Sequence, residues 1–423
     1  MNAEIISVGT ELLLGHTINT DASYVARELS ALGINLLFAS TVGDNPGRLK
    51  QALESAFERS DLVITTGGLG PTGDDLTKET IAEAAGKKLV LHQESMDRIL
   101  DYFKGRVAGE TQKKQAMLPE GCTVFQNDKG TAPGCGFQTE TGKLVVMLPG
   151  PPSELIPMLK NYAVPFLAKD ERAVIVSRMI RVFGLGEGLV AEKITDLTDC
   201  PNPTAATYAK DGEMFVRVTA RAESEEKAAA LCVPVVEECK ARLGEYIYGI
   251  DVESLEEVVV TELTKRNWTL ATAESCTGGL LAERITSIPG ASAVFHMGVV
   301  TYANEIKTLL LDVPEATLKQ YGAVSEQTAR AMAEGVRLKS GSELGLGITG
   351  IAGPGGGTAE KPVGLIYIAL CDGKNTVVRR MNGNSMKGRE YLRYLAASNA
   401  LDMIRRYLCG LGGLEEAAYS RRT

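Results

Sequence analysis

Three stretches of this sequence share one form, in which a short β-type run meets a turn that is rich in glycine. They lie at 61–77, 269–285 and 346–357. Around the first of them, strand-like runs alternate with helical patterns of about ten residues or more, starting at 3–8 and 34–42. Such alternation indicates parallel sheets, and α/β folds bind ligands at the turns that follow their strands. We therefore predict an α/β fold with functional sites at these turns.

The turn within 269–285 is the first candidate active site. The run Thr269–Thr272 is followed by Glu-Ser-Cys-Thr-Gly-Gly and then by a helical pattern from Leu280. We expect the two glycines to leave free backbone N–H groups that point to one place at the positive end of a helix. Such a place suits an anion or the oxyanion of an acyl transfer, with Ser275 as the nucleophile. A serine before a helix is also a common N-cap, and this stretch alone leaves both interpretations open.

Two later stretches favour the nucleophile. Tyr302 and Lys307 follow a strand-like run at 298–301, where an α/β sheet places its functional residues. A desolvated lysine can act as the base of a serine, and a tyrosine can relay the proton. The loop after the strand at 344–349 contains so much glycine that its backbone can approach a phosphate closely. The glycines that we assign to this phosphate site are Gly353, Gly355 and Gly356.

A similar loop follows the third strand-like run of the N-terminal part. Backbone N–H groups of such a loop can bind a phosphate at the start of the next helix. Asp75 and its neighbouring aspartate can hold a divalent cation that bridges to phosphate oxygens, although aspartate is also a good helix cap. No Gly-Lys-Ser/Thr follows, so this is not a Walker loop. The candidate phosphate-binding residues are Gly67, Gly68, Gly70, Asp74 and Thr77.

Composition limits the functional classes. The net charge is −8, from 45 basic and 53 acidic residues, which argues against direct nucleic-acid binding. No apolar run reaches the roughly 18–20 residues of a membrane span, and no basic segment followed by an apolar one begins the sequence. The eight cysteines form no Cys-x-x-Cys pair, which disfavours a zinc site and is typical of reduced thiols. We interpret Cys276 as a small buried thiol, and we expect a cytoplasmic protein with no membrane partner.

Three motifs, Ala273–Gly279, Thr301–Lys307 and Gly347–Pro354, resemble the CinA family (competence/damage-inducible protein A), and the resemblance covers essentially the whole chain. It implies a C-terminal nicotinamide-nucleotide amidase. Such a domain converts nicotinamide mononucleotide (NMN) and water to nicotinate mononucleotide and ammonia, in pyridine nucleotide recycling, and needs no cofactor. Backbone N–H groups around Thr277 and Gly278 would hold the oxyanion. The substrate and its phosphate would be held by the glycine loop together with Thr349 and Arg389.

The loop at 65–77 resembles the molybdopterin-binding fold of the MogA and MoaB type, which CinA proteins carry in their N-terminal domain. Two acidic positions matter in that fold, and they match Asp44 and Asp75. The resemblance implies an ADP-ribose pyrophosphatase in which these two residues hold a divalent metal ion. Binding of a nucleotide or a pterin without turnover is the open alternative for this domain.

The sequence divides into four parts under this interpretation. We predict a MogA/MoaB-like parallel-sheet domain at 1–169, a small α+β KH-like domain at 170–250, an α/β amidase domain at 251–410 and a flexible tail at 411–423. The segment Gly184–Gly188 only approximates the Gly-x-x-Gly loop of RNA-binding KH domains, so we interpret the middle domain as a spacer or dimer contact. The expected partners are NMN, ADP-ribose and a second copy in a homodimer. The competing class is a non-catalytic scaffold in competence or DNA repair that acts through a protein partner.

Overall fold

The computed structural model describes residues 1–103, 110–168, 174–210 and 212–419. These residues form two compact units. The first unit comprises the described chain up to Val176 together with Arg221–Ala228, and the second comprises the remaining described residues.

The elements of the N-terminal domain follow the predicted alternation of strands and helices. In chain order they are β1 (Asn2–Val8), α1 (Thr10–Leu13), α2 (Asp21–Ala31), β2 (Asn35–Val42), α3 (Pro46–Arg59), β3 (Leu62–Thr66), α4 (Thr77–Ala84), β4 (Leu89–Leu91), α5 (Gln93–Phe103), α6 (Glu110–Gln115), β5 (Met117–Pro119), β6 (Thr123–Phe125), β7 (Gly134–Gln138), β8 (Leu144–Leu148), α7 (Pro152–Met158) and α8 (Val164–Ala168). A π-helical turn, Leu159–Ala163, joins the last two helices.

The N-terminal sheet has the strand order β2-β1-β3-β8-β7-β6. Its first four strands are parallel, whereas β7 and β6 are antiparallel to their neighbours. Alternate residues of the central strands belong to the hydrophobic cores on opposite faces of the sheet. Ile5 and Ile64 pack with α2 and α7, whereas Ile6 and Val63 pack with α3 and α4. Burial on both faces is typical of parallel strands. Because β1 and β3 are parallel, the turns that follow both strands meet at one edge of the sheet.

The middle and C-terminal elements belong to the second unit over most of their length. The middle elements are β9 (Val174–Val182), α9 (Glu187–Thr198), β10 (Thr204–Lys210), β11 (Glu213–Ala222), α10 (Glu225–Leu243) and β12 (Ile247–Ile250). The C-terminal elements are α11 (Leu255–Arg266), β13 (Leu270–Glu274), α12 (Leu280–Thr286), β14 (Phe295–Val300), α13 (Asn304–Leu311), α14 (Glu315–Tyr321), α15 (Glu326–Ser340), β15 (Leu344–Gly350), β16 (Leu365–Cys371), β17 (Thr376–Asn382) and α16 (Gly388–Leu408).

The middle domain has the predicted order β-α-β-β-α, and a further strand, β12, completes its sheet in the order β10-β11-β9-β12. Val190 and Ile194 of α9 and Cys232 and Val236 of α10 cover this sheet and form its core with the alternate residues of β11. The arrangement confirms the small α+β fold that the sequence predicts.

The C-terminal sheet has the order β14-β13-β15-β16-β17. β14, β13 and β15 are parallel, and the last two strands run antiparallel. Helices α11, α12 and α16 pack on one face, and α13 and α15 pack on the other. The parallel register places Val300 and Ile348 beside Glu274, so the turns after three strands meet at the carboxyl edge of the sheet. The α/β class that we predicted for this part is confirmed.

The expectation of a flexible tail from residue 411 is corrected over the described residues 411–419. The buried guanidinium of Arg379 donates to the Leu414 carbonyl at 2.9 Å. The Asn399 side chain accepts from the Ala418 amide at 2.8 Å and donates to the Ala418 carbonyl at 3.3 Å. Buried side chains of β17 and α16 use the backbone groups of this segment as hydrogen-bond partners.

Among the residues that the structure describes, none of the helices combines the length and the apolar character that a membrane crossing requires.

Candidate functional sites

The turn after β13 places Ser275 at the carboxyl edge of the C-terminal sheet. The Ser275 amide donates to the Ile348 carbonyl of the neighbouring strand at 3.0 Å, and the Ser275 carbonyl accepts from the Gly278 amide at 3.1 Å. Gly278 and Gly279 have φ values of 60° and 92°, a conformation that side chains with a Cβ rarely adopt. The two glycines therefore let the chain reverse tightly around Ser275 before α12 begins.

The positive end of α12 is already occupied by a buried carboxylate. The Glu274 side chain accepts from the amides of Gly279 at 3.0 Å, Leu281 at 3.1 Å and Ala282 at 2.8 Å. The expectation that these N–H groups are free for a ligand is therefore wrong. The N-cap position belongs to Gly279 and carries no side-chain cap, so Ser275 does not cap this helix either. Glu274 holds the helix start and leaves the Ser275 hydroxyl available for chemistry.

Lys307 reaches the Ser275 hydroxyl from the first turns of α13. Its side chain is fully buried, and its Nζ lies 3.4 Å from Ser275 Oγ. The same Nζ donates to the carbonyl oxygens of Thr301 at 2.7 Å and Tyr302 at 3.1 Å. Burial lowers the pKa of Lys307 from its ordinary value of 10.5, because the charged form loses its hydration. The three oxygens match the three N–H donors of the charged amine. When the amine loses a proton, the two carbonyls can keep its two remaining donors, and its lone pair can then accept the Ser275 proton.

Tyr302 and Arg389 form a second group at the rim of this site. The Tyr302 side chain is exposed, and its hydroxyl accepts from Arg389 Nη2 at 3.3 Å. Arg389 lies in the first turn of α16, and its Nη1 donates to the Gly353 carbonyl at 2.7 Å. Among the hydrogen bonds of the described residues, the Tyr302 hydroxyl has none with Ser275 or Lys307. The structure thus places Tyr302 beside Arg389 and the glycine loop instead of in the predicted proton relay.

The glycine loop after β15 packs closely against a neighbouring side chain at Gly353, and its backbone is accessible at Gly355. Gly353 has a φ of 76°, and a Cβ there would lie 2.6 Å from the Val363 side chain. A Cβ at Gly355 would meet nothing within 4 Å, so the backbone on that side is accessible. Gly356 has a φ of 83°. The Thr349 hydroxyl is buried and donates to the Ala323 carbonyl at 2.7 Å, so it connects the end of β15 to the segment between α14 and α15.

Arg393 is a residue of this site that the sequence reasoning missed. Its Nη2 and Nε donate to the Thr277 carbonyl at 2.6 and 3.2 Å. Thr277 is buried, its hydroxyl has no partner among the described residues, and no hydrogen bond of those residues uses its amide. Arg393 lies four residues after Arg389 and therefore on the same face of α16. That spacing is the one signal in the sequence that could have identified it.

The N-terminal site is a cleft of about 730 Å³ at the carboxyl ends of β1 and β3. Gly67 and Gly68 begin the loop there with φ values of 93° and 66°. A Cβ at Gly67 would lie 2.2 Å from the Val8 carbonyl oxygen, and one at Gly68 would lie 2.0 Å from the Thr77 hydroxyl. Only glycine allows the chain to pass so close to both elements. Helix α4 begins at Thr77, as predicted, and the Thr77 amide donates to the Gly68 carbonyl at 3.2 Å.

The predicted acidic residues all line this cleft, together with Gly70. Asp44 Oδ2 accepts from the Thr10 amide at 2.8 Å, and Asp75 Oδ2 accepts from the Thr72 amide at 2.9 Å. Asp74 is exposed, and a hydrogen bond with Thr72 lowers its pKa. The N-cap of α4 is Leu76 without a side-chain cap, so neither Asp74 nor Asp75 caps this helix.

Asp44 and Asp75 fit a divalent cation that phosphate and water help to bind. Among the described residues, the hydrogen bonds of both aspartates engage Oδ2, so each side chain keeps its second carboxylate oxygen. Within the described parts of the chain, no group of three or more His, Cys, Asp or Glu side chains forms a metal centre by itself. Mg²⁺ typically takes only one or two carboxylates and completes its shell with water and substrate phosphates. The donor set therefore suits such an ion only when a phosphate ligand is also present.

The loop Gly184–Gly188 of the middle domain is in contact with the C-terminal segment of the same unit. Tyr419 donates from its hydroxyl to the Leu185 carbonyl at 2.9 Å, and its ring packs edge-on against Phe183 with centroids 5.5 Å apart. A Cβ at Gly184 would lie 3.6 Å from that of Ala418. Protein groups thus cover one side of this loop.

The fold and the two sites define a class of protein in which a MogA/MoaB-like domain, a KH-like domain and a third α/β domain with a buried Ser–Lys pair share one chain. Family models match each part in turn. They are a probable molybdopterin binding domain over residues 4–169, a damage-inducible protein CinA KH domain over 177–249 and a CinA C-terminal domain over 252–408. The chain belongs to the CinA family.

Relatives match over nearly the whole length. A CinA-like protein of Desulfovibrio desulfuricans is 58% identical over 413 residues, which cover 97% of each chain. A CinA-like protein of Kosmotoga olearia is 51% identical and covers 97% of this chain and 100% of its own. Among solved structures, the competence/damage inducible protein CihA of Agrobacterium tumefaciens is 42% identical over 37% of this chain and 93% of its own, with a TM-score of 0.36.

Proposed function

We propose that the C-terminal domain is a serine amidase that deamidates NMN. The observation that supports this most directly is the fully buried Lys307 amine 3.4 Å from the Ser275 hydroxyl. Burial of a lysine disfavours its charged form and therefore favours the neutral amine, which can act as a base. A serine with a neutral amine beside it has the base that it needs to become a nucleophile.

The reaction follows from the positions of these groups. Ser275 Oγ attacks the carboxamide carbon, and Lys307 Nζ takes the hydroxyl proton. The unused Thr277 amide stabilises the oxyanion, whereas the Gly278 amide is engaged within the turn. Lys307 then gives its proton to the amide nitrogen, which leaves as ammonia. Water attacks the acyl-enzyme, its proton passes through Lys307 to Ser275 Oγ, and the nicotinate carboxylate is released.

The substrate phosphate is assigned to the rim of the site. Arg389, Tyr302 and the open backbone at Gly355 lie together there. A guanidinium can form a bidentate contact with a phosphate, and a cation in the first turn of a helix opposes the helix dipole unless an anion accompanies it. Arg389 therefore selects a nucleotide over free nicotinamide, and Tyr302 acts with it on the phosphate side.

Ammonia release from NMN tests this proposal. Wild type should be active in the presence of a chelator, and Ser275→Ala should lose activity by a factor of roughly 10³ or more, as removal of a nucleophile does. Cys276→Ala is the matched control because burial raises the pKa of its thiol to about 12, so it offers no thiolate. Activity that survives in Ser275→Ala but is lost in Cys276→Ala would transfer the nucleophile to the thiol and refute the assignment. An inactive, folded wild type would favour the binding or scaffold protein of competence or DNA repair.

We propose metal-dependent hydrolysis of ADP-ribose as the function of the N-terminal domain. The cleft, the close-packed glycine loop and the two carboxylates support a diphosphate ligand. A divalent ion held by Asp44 and Asp75 would neutralise charge on the phosphate oxygens when bound. The hydrolysis can be tested by measuring the release of AMP from ADP-ribose for wild type and comparing it with that for Asp75→Asn. Tight binding of a nucleotide or a pterin without AMP release would leave the non-catalytic alternative.

A further inference from the structure

Asp21 is a buried carboxylate in the wall of the N-terminal cleft. It is only 7% exposed and lies at the start of α2, among the residues that line the cleft. Helix capping does not explain it, because the N-cap of α2 is Thr20, and the structure shows no side-chain cap there. The sequence patterns around the glycine loop gave no reason to select it.

The hydrogen-bonding capacity of this carboxylate is largely unused. Thr66 forms a hydrogen bond with it, and the Thr66 hydroxyl also lies 3.3 Å from that of Ser7. Asn19 donates to the Ser7 hydroxyl at 2.9 Å, so a chain of neutral polar groups ends at Asp21. A carboxylate has about four lone-pair positions, and among the described residues Thr66 is the hydrogen-bond partner of Asp21. Burial has the largest effect on this carboxyl group, and it raises the pKa of Asp21 to about 6.

No cation compensates this carboxylate from within the described residues. The salt bridges of those residues do not include Asp21. Burial and the Thr66 hydrogen bond account for its pKa shift, and no neighbouring charge contributes. The charged side chains lining the same cleft are Glu11, Asp44, Asp74, Asp75, Lys129 and Glu154. An additional anion beside Asp21 would be repelled, whereas a neutral hydrogen-bond donor of a ligand can use its open lone pairs without adding charge to the cleft.

We propose that Asp21 forms a subsite for the vicinal hydroxyls of a ribose in the ligand of the N-terminal cleft. This inference rests on the proposed nucleotide ligand. Thr66, the partner of Asp21, immediately precedes Gly67 and Gly68, so a phosphate on that loop places its own sugar beside the carboxylate. Two sugar hydroxyls donate to one carboxylate without adding charge, which is how acidic residues hold ribose in dinucleotide-binding folds. Asp21 is then a specificity residue for nucleotides over bare phosphates.

Calorimetric titration of the full chain with two ligands tests the subsite. ADP-ribose carries ribose beside its diphosphate, whereas inorganic pyrophosphate has no sugar. Asp21→Asn keeps the size of the side chain and removes its charge, so it should raise the dissociation constant of ADP-ribose at least tenfold at pH 8. The dissociation constant of pyrophosphate should stay within about twofold of wild type. Asp97→Asn, an exposed change on α5 outside the cleft, is the control and should alter neither value.

Four outcomes separate this inference from the function on which it rests. If wild type binds neither ligand, the nucleotide role of the cleft fails and the subsite with it. If wild type binds both and Asp21→Asn binds ADP-ribose normally, only the subsite is refuted. An equal loss for both ligands would show that Asp21 shapes the phosphate loop, and this also overturns the sugar assignment. A loss that appears only with added Mg²⁺ and disappears with chelator would make Asp21 a cation ligand and likewise overturn it.

Discussion

The Glu274 carboxylate should be the main support of the nucleophile turn, and Glu274→Gln isolates its charge. One carboxylate oxygen accepts two amides and the other accepts the Ala282 amide at 2.8 Å. A glutamine can keep its carbonyl oxygen on the first pair only by directing its NH₂ group at the Ala282 N–H. One charge-assisted hydrogen bond, worth about 1.5–3 kcal/mol, is then replaced by a contact between donors. The lost charge at the helix N-terminus adds about 0.3–1 kcal/mol, so the free energy of unfolding should fall by about 3 kcal/mol.

Urea unfolding followed by fluorescence can measure this loss. The chain has one tryptophan, Trp268, which lies two residues before β13 and packs against the core of the C-terminal domain. The midpoint of the transition should fall while its slope stays unchanged. Glu283→Gln makes the same change at an exposed position of the same helix and should cost under about 0.5 kcal/mol. Equal midpoints for the two variants would refute the role of Glu274, and retention of full amidase activity would show that Ser275 needs no such support.

Three further predictions follow from buried charges. Asp402→Asn should lower the free energy of unfolding by about 3–5 kcal/mol in urea titrations, because Asp402 is the carboxylate that Arg379, Arg405 and Arg406 share. Asp21→Asn should raise the stability of the ligand-free protein by up to about 3 kcal/mol at pH 8 and by little at pH 4. The folded pKa of about 6 lies above the ordinary 3.8, so the charged form penalises folding as pH rises through this interval. Thermal melts of wild type and Asp21→Asn at the two pH values measure this difference in stability, and a variant less stable than wild type at pH 8 would contradict the prediction. The amidase rate should rise with pH as Lys307 loses its proton, with an apparent pKa below 10.5; a flat profile between pH 6 and 9 would contradict a lysine base.

Local patterns account for what the sequence predicted well. Strand, turn and helix starts around Ser275 and Gly68 depend on the alternation of apolar residues and on glycine conformations, both of which are encoded within a few neighbouring residues. The approach of Lys307 to Ser275 was also predictable, since parallel strands bring their carboxyl ends to one edge of a sheet. Tyr302 was predicted to act with Ser275 and Lys307 because the sequence places it at the same edge of the sheet. The sequence does not show in which direction its side chain points.

Contacts between distant segments explain what the sequence did not predict. Glu274 looked like part of a motif, and only the turn geometry shows that its carboxylate folds back onto the amides of the following helix. Asp21 became a candidate only in the folded chain, where the start of α2 lies beside Thr66 at the end of β3 and lines the cleft. The segment 411–419 has the composition of a tail, and its order comes from Arg379 and Asn399, which lie 35 and 19 residues away from the groups that they bind.

Helix α16 is one element that contacts both the proposed amidase site and the middle domain. Arg389 and Arg393 fix the glycine loop and the nucleophile turn, so the two halves of the proposed site keep their separation only while this helix stays in place. Three turns later, Arg405 donates to the carbonyls of Glu245 and Ile247 in the middle domain at 3.0 and 3.2 Å. A rigid helix transmits displacement along its length, and these contacts fix both of its ends. In the proposed amidase, the KH-like domain would therefore hold the far end of the helix whose first turns carry Arg389 and Arg393, which is a physical reason for the two domains to share one chain.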